Sequence, residues 1–123
     1  SNPEEEGAMK LVIVIRGDAK MTPGKAASQS AHAAVTAFRV SSAQFPAAVA
    51  EWLRLGEPTI ILLAQALEEM QKIESAAKRS GILAAVLSDA GKTQVVDGTV
   101  TAISLGPGLK KLIDPVTADL PLF

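Results

Sequence analysis

Residues 11–15 read LVIVI, an unbroken apolar run in which four of the five side chains are β-branched, and this run decides the fold. A strand with one face in water alternates apolar and polar residues, so the unbroken run predicts a strand covered on both faces. A similar run, TIILL at residues 59–63, predicts a second buried strand. Residues 82–87 and 100–105 are predicted as the third and fourth strands.

Helical segments separate the first three strands. Apolar spacing predicts helices over about residues 25–40 and 66–80, with another helix between them that has Pro46 near its first turn. Residues 106–108, Gly-Pro-Gly, are expected to end the fourth strand before a short helix over about residues 109–113. This alternation predicts an α/β fold with a mostly parallel sheet and helices on both of its faces.

The first predicted helix has an alanine-rich apolar side and a polar side. The apolar positions recur at helical spacing and are expected to face the core: Ala27, Ala31, Ala34, Val35 and Phe38. A polar stripe lies nearly opposite and consists of Lys25, Gln29, His32 and Thr36. The pattern therefore places Lys25 and His32 on one shared face of this helix.

The composition excludes several kinds of site. The 123 residues suffice for one domain and include 12 Lys and Arg, 13 Asp and Glu, one His and no Cys. Without cysteine there is no disulfide, thiolate zinc site or cysteine nucleophile, and one histidine cannot build a His-rich metal centre. We therefore predict neither a cofactor nor a metal.

The longest apolar runs are about five residues, and a helix that spans a bilayer needs roughly 20, so we expect a cytoplasmic protein with no membrane partner.

The acidic start of the chain affects its net charge. Residues 1–8, SNPEEEGA, are predicted to be a flexible leader or an expression remnant, and residues 9–123 a single domain. The formal net charge is −1, and it becomes +2 when the three Glu of this leader are left out. A balance so close to neutral neither supports nor excludes a nucleic-acid partner.

Polar clusters follow the first and third predicted strands, at residues 17–25 and 89–94. Ligands of α/β sheets bind beyond the carboxyl ends of the strands, so we expect these clusters to converge, with Lys25 facing Asp89. Asp89 would then be a general base or an anchor for the lysine. Two threonine hydroxyl groups follow in the sequence, those of Thr93 and Thr101.

Two common catalytic motifs are excluded. Gly24 and Lys25 resemble the end of a phosphate-binding loop, but six residues separate Gly17 from Gly24 where that motif has four, and no hydroxyl residue follows the lysine. Ser28 precedes His32 by about one turn, yet a serine inside a helix lacks the strained turn that presents a nucleophile. We therefore predict neither nucleotide hydrolysis nor Ser–His catalysis.

Several segments match the motifs of one known family, in the same order along the chain. The first two are residues 10–35 (KLVIVIRGDAKMTPGKAASQSAHAAV) and residues 89–94 (DAGKTQ). Three shorter ones follow at residues 98–101 (GTVT), 105–108 (LGPG) and 113–117 (IDPVT). Together these segments resemble the type-two peptidyl-tRNA hydrolases, and the match spans almost all of residues 9–123.

The resemblance implies a three-layer α/β/α sandwich around a four-stranded mixed sheet with an antiparallel last strand, often as a homodimer. The implied activity is metal-independent hydrolysis of the ester between a peptide and the 3′ ribose at the acceptor end of tRNA, which recycles the tRNA. Residue by residue, the implied catalytic set is Lys25, Asp89 and Thr93, with support from Thr101, Gln29 and His32. Basic residues that match the same region are candidate tRNA contacts: Arg16, Lys20 and Lys92.

The chain departs from the family pattern mainly by losing positive charge. Pro23 stands where the family has the first Lys of its Gly-Lys-Gly-Lys motif, and uncharged or acidic residues occupy positions 57, 58, 63 and 64 around the second strand. Each lost phosphate contact lowers affinity and flattens its salt dependence, so we expect weak tRNA binding with little salt sensitivity. Two alternatives stay open: a divergent relative that cleaves another acyl-tRNA or ester, and a non-catalytic module that binds RNA or protein.

Overall fold

The computed structural model describes residues 6–89 and 100–123, so most of the predicted leader lies outside the described part. Along the chain the elements are β1 (Met9–Arg16), a 3-10 turn (Gly17–Ala19), α1 (Pro23–Gln44), α2 (Pro46–Arg54), β2 (Thr59–Ala64), α3 (Leu67–Arg79), β3 (Ala84–Ser88), β4 (Val100–Leu109) and α4 (Lys110–Thr117). None of the described helices combines the length and the apolar character needed to cross a membrane.

The four strands form one mixed sheet in the order β2-β1-β4-β3. β1 pairs in parallel with β2, where Ile13 faces Ile61, and antiparallel with β4, where Ile13 faces Ser104. β3 also pairs antiparallel with β4. The antiparallel β4 agrees with the family resemblance and corrects the mostly parallel sheet that we expected from the alternation of strands and helices. Only residues 89–99 connect β3 to β4, fewer than the roughly one dozen or more that a parallel crossover needs.

β4 is longer than predicted. It continues through residues 106–108 to Leu109, whereas the Gly-Pro-Gly sequence predicted its end at Leu105. Gly106 has a φ of +97°, and its N–H donates to Leu83 O at 2.9 Å. A shift in the pairing register with β1 accommodates the irregularity. Because glycine adopts a positive φ without steric cost, the strand bends here instead of ending.

The side chains of β1 alternate between two apolar layers, one on each face of the sheet. Val12 and Val14 pack against residues of α3 and α4: Met70, Ile73, Ala77 and Ile113. Leu11, Ile13 and Ile15 pack against residues of α1 and α2: Ala33, Ala37 and Trp52. The whole LVIVI run is 0% exposed, which confirms both the doubly covered strand and the three-layer α/β/α arrangement.

α1 packs on the sheet with a different side from the predicted one. Its buried residues are small or polar: Ala26, Gln29, Ala33, Ala37 and Ser41. Val35 and Phe38, which we expected inside, are 63% and 41% exposed. Ser41 is buried because its Oγ donates to Gly106 O at 3.1 Å. Since a polar group with a hydrogen-bond partner is inexpensive to bury, the apolar spacing alone identified the wrong side.

Candidate functional site

Lys25 and Asp89 meet at one end of the sheet. Asp89 lies directly beyond Ser88, the last residue of β3, and Lys25 lies in the first turn of α1. Lys25 Nζ is 3.1 Å from Asp89 Oδ2, and the two side chains are 36% and 9% exposed. The fold therefore brings together the two residues that we expected to face each other, with the lysine on the solvent side.

The start of α1 determines where Lys25 lies. Thr22 is the N-cap residue, and its Oγ1 accepts a hydrogen bond from Lys25 N at 3.2 Å. Pro23 takes the first helical position, where a missing N–H does no harm. The positive end of the helix dipole therefore lies close to the lysine charge. The apolar spacing predicts a helix that starts at about Lys25, two residues later than the observed start. The sequence signal for the observed start is the pair Thr22-Pro23, in which the threonine caps the helix.

A buried hydrogen-bond chain ties α1 to the sheet next to this ion pair. Gln29 Nε2 donates to Thr101 Oγ1 at 2.6 Å, and Thr101 Oγ1 donates to Leu87 O at 3.3 Å. Gln29 lies one turn beyond Lys25, and Leu87 lies two residues before Asp89. The chain therefore sets the helix that carries Lys25 against the strand that leads to Asp89.

Arg16 makes its contacts within the protein. Its Nε lies 2.5 Å from Asp18 Oδ1, and its Nη1 donates to Val100 O at 3.3 Å. Asp18 N in turn donates to Gln65 O at 2.9 Å, which attaches the turn after β1 to the segment after β2. The half-buried guanidinium thus joins the end of β1 to the start of β4, a role that its basic character alone did not suggest.

The other predicted site residues are exposed or fall outside the described part of the chain. Lys20 is exposed at the end of the 3-10 turn, with a φ of 52°. His32 is exposed two turns beyond Lys25, about 10 Å along the helix, and its side chain has no hydrogen bond or ion pair to another described residue. Lys92 and Thr93 lie among residues 90–99, outside the described residues.

The described part of the site supports electrostatic and acid–base chemistry. A nearly buried carboxylate can accept a hydrogen bond from water, and an ammonium beside a helix N-terminus can stabilise a developing negative charge. Within residues 6–89 and 100–123, no group of three or more His, Asp or Glu side chains is arranged to hold a metal ion.

Comparison with known proteins identifies relatives along nearly the whole chain. A family model described as Peptidyl-tRNA hydrolase PTH2 matches residues 9–123. A probable peptidyl-tRNA hydrolase 2 from Schizosaccharomyces pombe is 41% identical over 118 residues, covering 96% of this chain and 58% of the relative. A peptidyl-tRNA hydrolase from Methanopyrus kandleri is 43% identical over 113 residues, covering 92% of this chain and 97% of the relative.

A mitochondrial peptidyl-tRNA hydrolase 2 from Bos taurus is 37% identical over 119 residues, covering 97% of this chain and 66% of the relative. The chain thus spans less than two thirds of the yeast and bovine relatives, and nearly all of the archaeal one.

A solved structure supports the fold. It is a protein of unknown function from Agrobacterium tumefaciens strain C58, with a TM-score of 0.60 and 12% sequence identity, covering 94% of this chain and 97% of that one. At this identity the likeness concerns the fold alone. Family membership rests on the family model and the relatives, which agree with the ordered motifs around Lys25 and Asp89. The chain belongs to the peptidyl-tRNA hydrolase PTH2 family.

Proposed function

We propose that the chain hydrolyses the ester that joins a peptide, or another N-blocked aminoacyl group, to the 3′ ribose of tRNA. One observation carries the proposal: the ion pair between Lys25 and Asp89 at the carboxyl end of β3, beside the N-terminus of α1. Family membership supports it, because relatives in Schizosaccharomyces pombe and Methanopyrus kandleri are named peptidyl-tRNA hydrolases.

The reaction needs an activated water and a stabilised oxyanion. Water adds to the ester carbonyl carbon, the bond from that carbon to the ribose oxygen breaks, and the products are a peptide carboxylate and a tRNA with a free 3′ hydroxyl. Asp89 is suited to orient the water, because its nearly buried carboxylate is held in place by Lys25, and a carboxylate oxygen can accept the proton that the water loses.

Lys25 supplies positive charge in this step. It stabilises the negative charge that develops on the carbonyl oxygen, or it binds the terminal phosphate of the tRNA and so holds the ester in place. Thr93 is proposed as a hydroxyl donor from the family resemblance alone. Gln29 and Thr101 are proposed as positioning residues, because their hydrogen bond holds α1 against β4.

A hydrolysis assay with N-acetyl-aminoacyl-tRNA, run beside free aminoacyl-tRNA, tests the proposal. We expect release of the acyl-amino acid from the blocked substrate only. Lys25→Ala and Asp89→Ala should each lower kcat by more than about tenfold, because each removes a group that acts on the reacting atoms. Lys72→Ala and Asp119→Ala are matched controls, since both residues are exposed and have no partner among the described residues.

The outcomes separate the alternatives. A loss below about tenfold in both site variants would remove Lys25 and Asp89 from the catalytic set. Release from free aminoacyl-tRNA or from a small ester would indicate a divergent hydrolase. No release from any substrate, together with retained tRNA binding, would indicate an RNA-binding module.

The finer aspects of tRNA binding are also proposals. We infer that Lys20 and Lys92 contact phosphates near the acceptor end, with Arg16 contributing charge from its internal position. Lys20 supports this, because it is exposed at the same end of the sheet as Lys25 and has no partner among the described residues. Lys20→Ala should weaken tRNA binding and flatten its salt dependence.

Assembly and location need their own measurements. We propose a homodimer, supported by the exposed apolar side chains of Phe38 on α1 and Leu53 on α2. Sedimentation velocity of the wild-type chain and of Leu53→Glu tests the homodimer, and a monomeric wild-type chain contradicts it.

We also propose a cytoplasmic location. Imaging of the tagged chain in its host cell would distinguish this location from the mitochondrial one in the bovine relative's name.

A further inference from the structure

α1 differs from the other described α-helices in its charge. Its 22 residues include Lys25, His32 and Arg39 and no Asp or Glu. Each of the other three contains at least one acidic residue, and α3 contains three. β3, the edge strand that α1 packs against, has no charged residue. Lys25 pairs with Asp89 at the start of α1, and no acidic residue of α1 or β3 offsets the positive charge of Arg39 further along the helix.

The basic residues of α1 lie along one line. Lys25, His32 and Arg39 follow each other at intervals of seven residues, and seven residues make nearly two helical turns. Arg39 is therefore about 21 Å beyond Lys25 along the helix axis. Ser28 lies beside this line and is exposed, as are His32 and Arg39. We call Lys25, Ser28, His32 and Arg39 the α1 stripe.

The outer part of the α1 stripe has no partner within the described protein. Most described cations are held by an acid, as Arg54 is by Glu51 and Lys78 is by Glu74. The side chains of Arg39 and His32 make no hydrogen bond or ion pair with any described residue. An exposed guanidinium without a partner is available to a phosphate, which it can bind through two parallel hydrogen bonds.

We propose that the α1 stripe binds the sugar-phosphate backbone of the acceptor arm of tRNA. This proposal rests on the proposed function, because it takes the 3′ ribose to lie at Lys25 and Asp89. Charge complementarity supports this occupant, since α1 has no acidic residue and the Arg39 guanidinium is free to bind a phosphate of an extended polyanion. The stripe also begins at the ion pair, so a backbone that starts there continues along α1 towards Arg39.

The opposite face of the sheet does not offer a comparable surface. α3 carries three acidic residues, Glu68, Glu69 and Glu74, beside its three cations. On α4 both lysines pair with acids, Lys110 with Asp114 and Lys111 with Glu6. Acidic side chains repel the phosphates of RNA, and here they stand among the cations, so this layer suits the tRNA body less well than α1. Arg79 on α3 is exposed and without a partner among the described residues, as Arg39 is, and provides the matched control.

The test compares Arg39→Glu with the wild type on two substrates, N-acetyl-aminoacyl-tRNA and the same acyl group on a CCA trinucleotide. We expect KM for the tRNA substrate to rise about tenfold with kcat unchanged, because the variant loses one phosphate contact and adds repulsion. The slope of log(kcat/KM) against log salt should become shallower by about 0.7 to 0.9. The trinucleotide kinetics should stay the same, and Arg79→Glu should resemble the wild type on both substrates.

Three results would overturn the proposal. They are an unchanged KM for the tRNA substrate, an equal effect of Arg39→Glu on the trinucleotide, and an equal effect of Arg79→Glu, which would show a general charge effect. If the wild type hydrolyses neither substrate, the proposed function fails on its own. Fluorescence anisotropy with labelled tRNA then still tests the surface, and equal affinity of Arg39→Glu and wild type would refute it.

Discussion

Gln29 Nε2 donates a 2.6 Å hydrogen bond to Thr101 Oγ1, and both side chains are buried between α1 and β4. The two residues are 72 positions apart in the sequence, so the bond joins distant parts of the chain. Because Lys25 lies one turn before Gln29, the bond also limits how far the lysine can move relative to the sheet. A contact away from the reacting atoms thus contributes to the geometry of the Lys25–Asp89 pair.

Gln29→Ala should reduce both stability and turnover. The variant leaves a void and removes the donor to Thr101, so we expect a loss of about 1 to 3 kcal/mol in the free energy of unfolding. Turnover should fall because α1 no longer holds Lys25 in one position. Urea denaturation and the N-acetyl-aminoacyl-tRNA assay measure the two effects. Gln71→Ala, at an exposed site on α3, should change stability by less than about 0.5 kcal/mol, and equal stability of the two variants would contradict the role of the bond.

Two nearby alanines on α1 should differ in how strongly their replacement by leucine affects stability. Ala33 is buried against the sheet, whereas Ala31 is exposed. Ala33→Leu should destabilise the protein by about 1 to 3 kcal/mol because the added methyl groups meet a packed core. Ala31→Leu should have little effect, since alanine and leucine have similar helix propensity. Thermal or urea unfolding measures both, and a larger loss in Ala31→Leu would favour the apolar side first predicted.

Asp114 should make stability depend on pH. It pairs with Lys10 and Lys110, each at 2.5 Å. Burial raises the pKa of Asp114. The hydrogen bonds and charges of the two lysines together lower this pKa by more than burial raises it, so the pKa lies below its ordinary value. When the pKa of an acid is lower in the folded state, the group stabilises the fold at pH values above its unfolded-state pKa. This stabilisation disappears as the pH falls through the folded-state pKa.

We therefore expect Asp114→Asn to be less stable than the wild type at pH 7. The difference should be only about 0.5 to 1 kcal/mol, because solvent screens the ion pair. The difference should shrink as the pH falls below about 3.9, the ordinary pKa of aspartate. Urea denaturation at pH 7 and pH 3 measures it. Asp119→Asn is the control, since Asp119 is exposed and has no partner among the described residues. A gap between Asp114→Asn and wild type that is as large at pH 3 as at pH 7 would contradict the ion-pair explanation.

Gly106→Ala should be strongly destabilising. Gly106 has a φ of +97°, and a Cβ there would lie 2.7 Å from Gly108 N and 2.9 Å from Lys10 O, both backbone atoms. Backbone strain of this kind costs about 1 to 3 kcal/mol, and the displaced strand pairing adds to it. Gly24→Ala is the contrast, because nothing lies within 4 Å of the added atom. Unfolding curves that place both variants at the same stability would show that β4 can shift to accept the methyl group.

The central strand and the meeting of Lys25 with Asp89 could be predicted from local pattern. An apolar run such as LVIVI has only one stable environment, a position covered on both faces, and the buried β1 confirms it. The expectation that Lys25 faces Asp89 follows from the rule that ligands of α/β sheets bind beyond the carboxyl ends of the strands, where the polar segments after β1 and β3 both lie. Both inferences need only the order of residues along short segments.

The orientation of α1 and the path of β4 depend on contacts between distant segments. Gln29 and Ser41 count as polar in any periodic pattern, yet both are buried because Thr101 and Gly106 supply partners 72 and 65 residues away. Likewise, the Gly-Pro-Gly segment predicts a strand end, but pairing with β1 continues as far as Leu109. The sequence around Gln29, Ser41 or the Gly-Pro-Gly segment does not show which distant residues will lie next to it.

The sequence by itself determined the central buried strand, the family motifs and the residue types at the candidate site, because these depend on hydrophobic patterning and side-chain chemistry over short distances. Only the tertiary structure decided which side of α1 is buried, the internal role of Arg16, and the lack of a partner for the exposed Arg39 side chain among the described residues. The physical reason is that burial of a polar group depends on whether a partner is within hydrogen-bond distance, and packing of the whole chain sets that distance.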